Sequence, residues 1–189
     1  MTGTGHEGSV LLVDASVCIT LADVGAFDLL DGLRGDVVVP GAVCDEVTDN
    51  PARDELDTAI EDGWIAVEDP DVDAARRAAA HLGVEDSLAA GESDTAAASG
   101  DVALLAAVME RDRAVVVSDD RPLRETCKAL SIPVSGSPGV VTRAVERGEL
   151  DAEDARGLLY AMDEVGARLS ATLVRRAERL IDAAVEARD

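Results

Sequence analysis

Aromatic residues are almost missing from this chain: Phe27, Trp64 and Tyr160 are the whole set in 189 residues. A core without rings has to be built from Val, Leu, Ile and Ala. No row of aromatics is present on which nucleic-acid bases could stack, so base-specific recognition has no visible basis. Lysine is scarcer still, with Lys128 alone, and the remaining cations are arginine. The basic face that usually marks a nucleic-acid binder is also lacking, because 39 acidic residues stand against 17 basic ones, a formal charge of −22. Cys18, Cys44 and Cys127 lie far apart and form no CxxC pair, while His6 and His81 have no metal-ligand spacing. Those absences argue against a disulfide framework and against structural zinc. The three thiols read as small core residues in a reducing cytoplasm. No apolar run approaches the length of a transmembrane helix, and residues 1–9, MTGTGHEGS, carry neither the basic region nor the apolar stretch of a signal peptide. A soluble, cytoplasmic protein without a membrane partner is expected.

What the chain does have is carboxylate, spread through segments whose apolar spacing is regular. That distribution fits a folded protein with a heavily acidic surface rather than a disordered acidic tail. Together with the loss of lysine it predicts a halophilic protein, suited to molar salt. At such ionic strength the Debye length falls to roughly 3 Å. Net charge therefore does not exclude a polyanionic substrate, although it gives no electrostatic argument for one.

Short β-branched runs and amphipathic runs alternate along the first two-thirds of the sequence. Strands are predicted over 9–13, 36–39, 64–67, 114–117 and 132–134. Helical patterns occupy 17–33 (broken near Gly25), a run after Pro40-Gly41, 52–62 with Pro51 as its first residue and Asn50 as its cap, 71–82 ended by Gly83, 102–111 and 123–130. Residues 84–100, rich in Gly and small polar residues, read as a long loop with a short helix. SGSPG at 135–139 reads as a turn, and helices follow at 140–147, 152–163 and 169–187. Alternation of strand and helix, followed by helices alone, predicts an α/β fold with a central parallel sheet and a helical C-terminal extension.

The acids of interest sit at element ends. Ser118-Asp119-Asp120 ends the buried run AVVV, Asp14 follows VLLV, Glu46 follows VVVPGAVCD, and Asp101 heads VALLAAVM. Open α/β sheets place their sites at the carboxyl ends of strands. Any one of these acids is by default a solvated surface residue, and Asp at a helix start is often only a cap. The set by position points to carboxylates gathered around a metal. Mg2+ or Mn2+, which prefer oxygen ligands, suit such a site, where they lower the pKa of water and neutralise phosphate charge. No convincing His, Cys or Ser nucleophile competes with this chemistry.

LLVDAS, VVVPGAVCDEV and SGDVALLAAVMERDRAVVVSDDRPLR, taken together, resemble a PIN domain, the fold of toxin nucleases of toxin–antitoxin pairs and of RNA-processing nucleases. The resemblance implies a three-layer sandwich and a metal-dependent endoribonuclease of RNA. Its order of acids is an Asp in the first turn, a Glu after the second strand, an Asp heading a helix and an Asp after the next strand, carried here by Asp14, Glu46, Asp101 and Asp119. Gly91-Glu92-Ser93-Asp94 offers alternatives for the third position, Asp94 ahead of Glu92, with Asp101 at the better distance from Asp119. Asp120 is a further ligand or the cap of the next helix. Ser16 and Ser118 either bond a ligand carboxylate or cap turns. Arg121 and Arg124 either contact substrate phosphate or pair with neighbouring acids, the structural role being favoured for Arg124.

The resemblance covers residues 9–145 well and the rest more loosely, and it resembles most an uncharacterised archaeal and bacterial branch of PIN-like proteins. The division expected is a tail at 1–8, a PIN-like domain at 9–148 and an extension at 149–189. An apolar stripe in that extension, including Leu159, Met162, Leu169, Leu180 and Ile181, packs on the domain, on an antitoxin or other partner, or across a homodimer. Two other readings stand beside the nuclease. One is a non-catalytic PIN-like module binding RNA or protein. The other is a phosphotransfer receiver, which needs a lysine after a late strand, whereas Lys128 falls in a helical run.

Overall fold

A computed structural model describes residues 9–84, 99–167 and 169–187. Five strands, β1 (Val10–Val13), β2 (Asp36–Val39), β3 (Ile65–Val67), β4 (Ala114–Val117) and β5 (Val134–Ser135), form one sheet in the order β3-β2-β1-β4-β5. All four pairings are parallel. Strands covered on both faces read as continuous apolar runs rather than as alternation. VLLV, VVV and AVVV are such runs, and most of their side chains are buried.

The helices divide between the two faces. On one lie α2 (Gly41–Glu46), α4 (Val72–Leu82), α5 (Gly100–Met109) and α6 (Arg121–Ala129). On the other lie α1 (Ala15–Asp23), a 3₁₀ turn at Phe27–Leu30, α3 (Ala52–Glu61), α7 (Ser137–Arg147), α8 (Ala152–Glu164) and α9 (Ala171–Glu186). This is the α/β sandwich expected of a PIN-like fold. Within α5, every residue from Val102 to Val108 is buried, because α4, α2, α6 and the sheet surround it. A helix apolar all round belongs in a core, and this one carries Asp101 on its first turn.

At β1 the sheet changes direction: β2 and β3 lie to one side, β4 and β5 to the other. Such a reversal opens a crevice at the carboxyl edge. The register pairs Val13 with Val117, so Asp14 and Ser118 emerge side by side. The C-terminal helices join the same core, with Leu159, Met162 and Ile181 fully buried. From the same apolar stripe, Val165 is 45% and Leu180 47% exposed.

Several boundaries differ from the sequence expectation. Pro51 itself takes the N-cap position of α3, so Asn50 does not cap it. The last strand moves from 132–134 to Val134–Ser135, where Val134 and Ser135 pair with Val116 and Val117. SGSPG is not a free turn, because α7 begins at Ser137 with Pro138 in its first turn. A proline is tolerated there, since its missing N–H has no helical partner at that position. Gly25, at φ +65°, ends α1 and separates it from the 3₁₀ turn.

Candidate metal centre

Asp14 is the anchor of the site. It is the N-cap residue of α1 and only 4% exposed. Ser118 and Ser16 both donate to its Oδ2, at 2.6 and 2.5 Å. Burial nevertheless dominates and pushes its carboxyl above the usual range, the two serines and the Ala15 backbone pulling the other way and the charge of Glu46 adding to the rise. Ser16 Oγ also accepts from the Asp119 backbone N–H at 3.1 Å, and Ser118 Oγ from that of Asp120 at 3.0 Å. Both serines therefore tie the β1 and β4 turns together through Asp14.

Glu46 ends α2 and reaches across to the start of α5, where the Gly100 N–H donates to its Oε1 at 2.8 Å. A Cβ at position 100 would meet Glu46 Oε2 at 2.7 Å. Glycine is thus required for this approach, and the N-terminal end of a helix favours the carboxylate charge. Asp101, the next residue, has its pKa raised to about 6, first by burial and then by the charges of Asp14, Asp120 and Glu46. Electrostatically these four acids form one group, although they come from four separate stretches of chain.

Gly100→Ala is expected to displace Glu46 while leaving the fold intact, because the atom in the way is the tip of a flexible side chain. At this first position of α5, which is not left-handed, alanine also leaves the unfolded chain less freedom than glycine, worth about 0.4–1 kcal/mol. Mn2+ affinity should fall by about tenfold, the lower end for loss of an orienting partner, with the melting temperature held or raised. Manganese titration and scanning calorimetry read the two effects separately. Unchanged affinity would show that Glu46 does not reach the ion.

Asp119 is held differently. Ser137 donates to it twice, from its backbone N–H to Oδ1 at 3.0 Å and from Oγ to Oδ2 at 2.5 Å, fastening the carboxylate to the start of α7. Gly136 leaves the room that Asp119 occupies. Asp120 caps α6 by accepting from Leu123 N–H at 2.8 Å and is the one of the pair whose charge acts on Asp101. Arg124 donates to the carbonyls of Ser118 and Ser135 and so braces the ends of β4 and β5. Arg121 is exposed and pairs with Glu125. Asp94 and Glu92 lie outside the described residues.

The donor set is entirely carboxylate and hydroxyl oxygen, the chemistry of a hard divalent cation. Among the described residues no three His, Cys, Asp or Glu side chains close into a metal cage. Mg2+ does not need one, since it keeps several waters and commonly takes one or two carboxylates directly. A cluster of acids in which burial and mutual repulsion raise Asp14 and Asp101 is a place where a dication relieves both. The donor atoms suit such an ion in kind, and among the described residues they are not gathered closely enough to enclose it as they stand. A separate cavity of about 470 Å³ lies under the β4 face against α7, lined by Leu11, Val115, Val140 and Arg143, and holds none of these acids.

Sequence reasoning missed Gly100 and Ser137. The small residues before and within SGDV and SGSPG carried the signal, but nothing in the sequence tells which carboxylate each would receive. A family model for the PIN domain matches residues 10–183, running through β1 and on into α9. No curated protein matches the chain.

Proposed function

The chain belongs to the PIN-domain family, and from that premise we propose that it is a Mg2+- or Mn2+-dependent endoribonuclease. PIN domains are generally nucleases, and the fold is of nuclease type. The observation that carries the reading is the buried carboxylate of Asp14, with Glu46 and Asp101 beside it in charge, at the sheet's topological reversal. Asp14, Glu46 and Asp101 hold the metal. Asp119 and Asp120, the two acids after β4, supply the fourth ligand between them, Asp119 from a carboxylate held by Ser137 and Asp120 from one that also caps α6.

When bound, the metal supplies a water of lowered pKa and neutralises charge on the attacked phosphate. The protein's part is orientation. Ser16 and Ser118 fix Asp14 in one position before substrate arrives, and Gly100 fixes Glu46. Asp101 must give up its proton for the site to bind the ion. Among the described residues no side chain is placed to act as a nucleophile, so hydrolysis rather than covalent catalysis is the reaction supported. An acidic, lysine-poor surface supports work at high salt in the cytoplasm, and the exposed Val165 supports a protein partner, whether an antitoxin or a second copy.

Labelled mixed-sequence RNA in high-potassium buffer, with Mn2+, Mg2+ or EDTA, tests the reading. Cleavage in either metal and none in EDTA is expected. A folded protein that leaves the RNA intact in both metals would favour the non-catalytic module instead.

A further inference from the structure

Beyond the carboxylate cluster, a groove of about 450 Å³ opens at the carboxyl end of the edge strand β5, between α6 and α9. Asp119 stands at its head, and Arg124, Lys128 and Arg176 line it. Lys128 is the chain's one lysine. Among the described residues neither Lys128 nor Arg176 has an ion-pair partner within 4 Å, whereas seven other arginines do. In a protein whose acids outnumber its cations by more than two to one, three cations and a single acid on one groove reverse the local balance. The floor is apolar, with Leu173 and the half-exposed Leu180.

The groove is joined to the site by a short bonded path, from Asp14 through Ser16 Oγ to the Asp119 backbone. We propose that this groove is where the strand of single-stranded RNA leaving the metal site lies, with Lys128 and Arg176 on successive phosphates and the sugar faces over Leu173 and Leu180. The assignment rests on the nuclease reading for the substrate, and on charge complementarity for the path. Arg124 shapes the groove mouth rather than gripping RNA, since its guanidinium is spent on two backbone carbonyls.

Binding is measured apart from cleavage, on the full chain in EDTA, by fluorescence anisotropy of a labelled mixed-sequence single-stranded RNA across a potassium chloride series. The variant is Lys128→Ala/Arg176→Ala, and Arg77→Ala/Arg113→Ala removes the same charge from outside the groove. The groove variant should bind about tenfold more weakly, and its slope of log affinity against log salt should flatten by about 1.4, at roughly 0.7 for each phosphate no longer neutralised. The control should keep the wild-type slope. Equal effects of the two variants, or no RNA binding by the folded wild type, would overturn the groove assignment. Cleavage by the wild type would still stand in that case, so the two readings fail separately. Leu180→Glu distinguishes a chain–chain interface: conversion of a dimer to a monomer in sedimentation, with RNA affinity intact, would also overturn it.

Discussion

Asp14→Asn is expected to abolish metal-dependent RNA cleavage, by on the order of a hundredfold or more, without lowering the melting temperature. Loss of a residue that only orients a metal ligand already costs about 10–100-fold, and Asp14 is proposed as the ligand itself. The stability side follows from burial. The folded protein holds this carboxyl above its ordinary range, chiefly because burial disfavours the charge. An asparagine of the same shape carries no charge to bury and can still accept from Ser16 and Ser118 through its carbonyl. Paired rate measurements and calorimetry should therefore show an inactive protein that melts at or above the wild-type temperature. A variant that is active, or that unfolds, would mean that Asp14 is a structural tie between the β1 and β4 turns and no more.

The second large effect is the cancellation of a pH dependence by metal. Asp101 titrates at about 6, above the ordinary range of an aspartate, because of burial and the charges of Asp14, Asp120 and Glu46. A carboxyl whose folded pKa is raised binds its proton more tightly when folded. Between about pH 4 and pH 6 the metal-free protein should therefore lose stability as pH rises, and above that window the loss is complete. Metal binding runs the other way, since it needs the ionised carboxylate, and affinity should fall about tenfold from pH 7 to pH 5. At a metal concentration about 100 times the dissociation constant, the ion adds about 2.7 kcal/mol. Melting curves in Mn2+ and in EDTA should then diverge at pH 7 and converge towards pH 5. Asp101→Asn should raise the EDTA curve at pH 7 and remove the divergence. Parallel curves at all pH values would place the ion elsewhere.

The sheet is legible in the sequence where composition leaves no choice. VVV after Asp36 and AVVV at 114–117 are β-branched and too short for a buried helix, and both strands fall where the pattern puts them. The order of acids along the chain is likewise readable, since each follows a strand or heads a helix. What they do in space is not. Asp119 and Asp120 are neighbours in sequence, yet one is fastened to Ser137 and the other acts on Asp101. That difference is decided by where α7 and α5 arrive, and no local pattern encodes it. SGSPG has the composition of a turn, while Ser137 and Pro138 in fact open a helix whose first N–H donates to a carboxylate. The apolar stripe of the last two helices is visible as spacing, but its division into buried Leu159, Met162 and Ile181 and exposed Val165 and Leu180 depends on how α8 and α9 meet α7.

The proposed metal centre is tested most directly by Mn2+ binding to the intact chain at neutral pH, followed by loss of the free-ion signal in electron paramagnetic resonance. Saturable binding is expected for the wild type, abolished in Asp14→Asn and Asp101→Asn, and weakened by Asp119→Asn and by Asp120→Asn. A folded wild-type protein that takes up no Mn2+, or that binds it equally well after Asp14→Asn, would contradict the assignment.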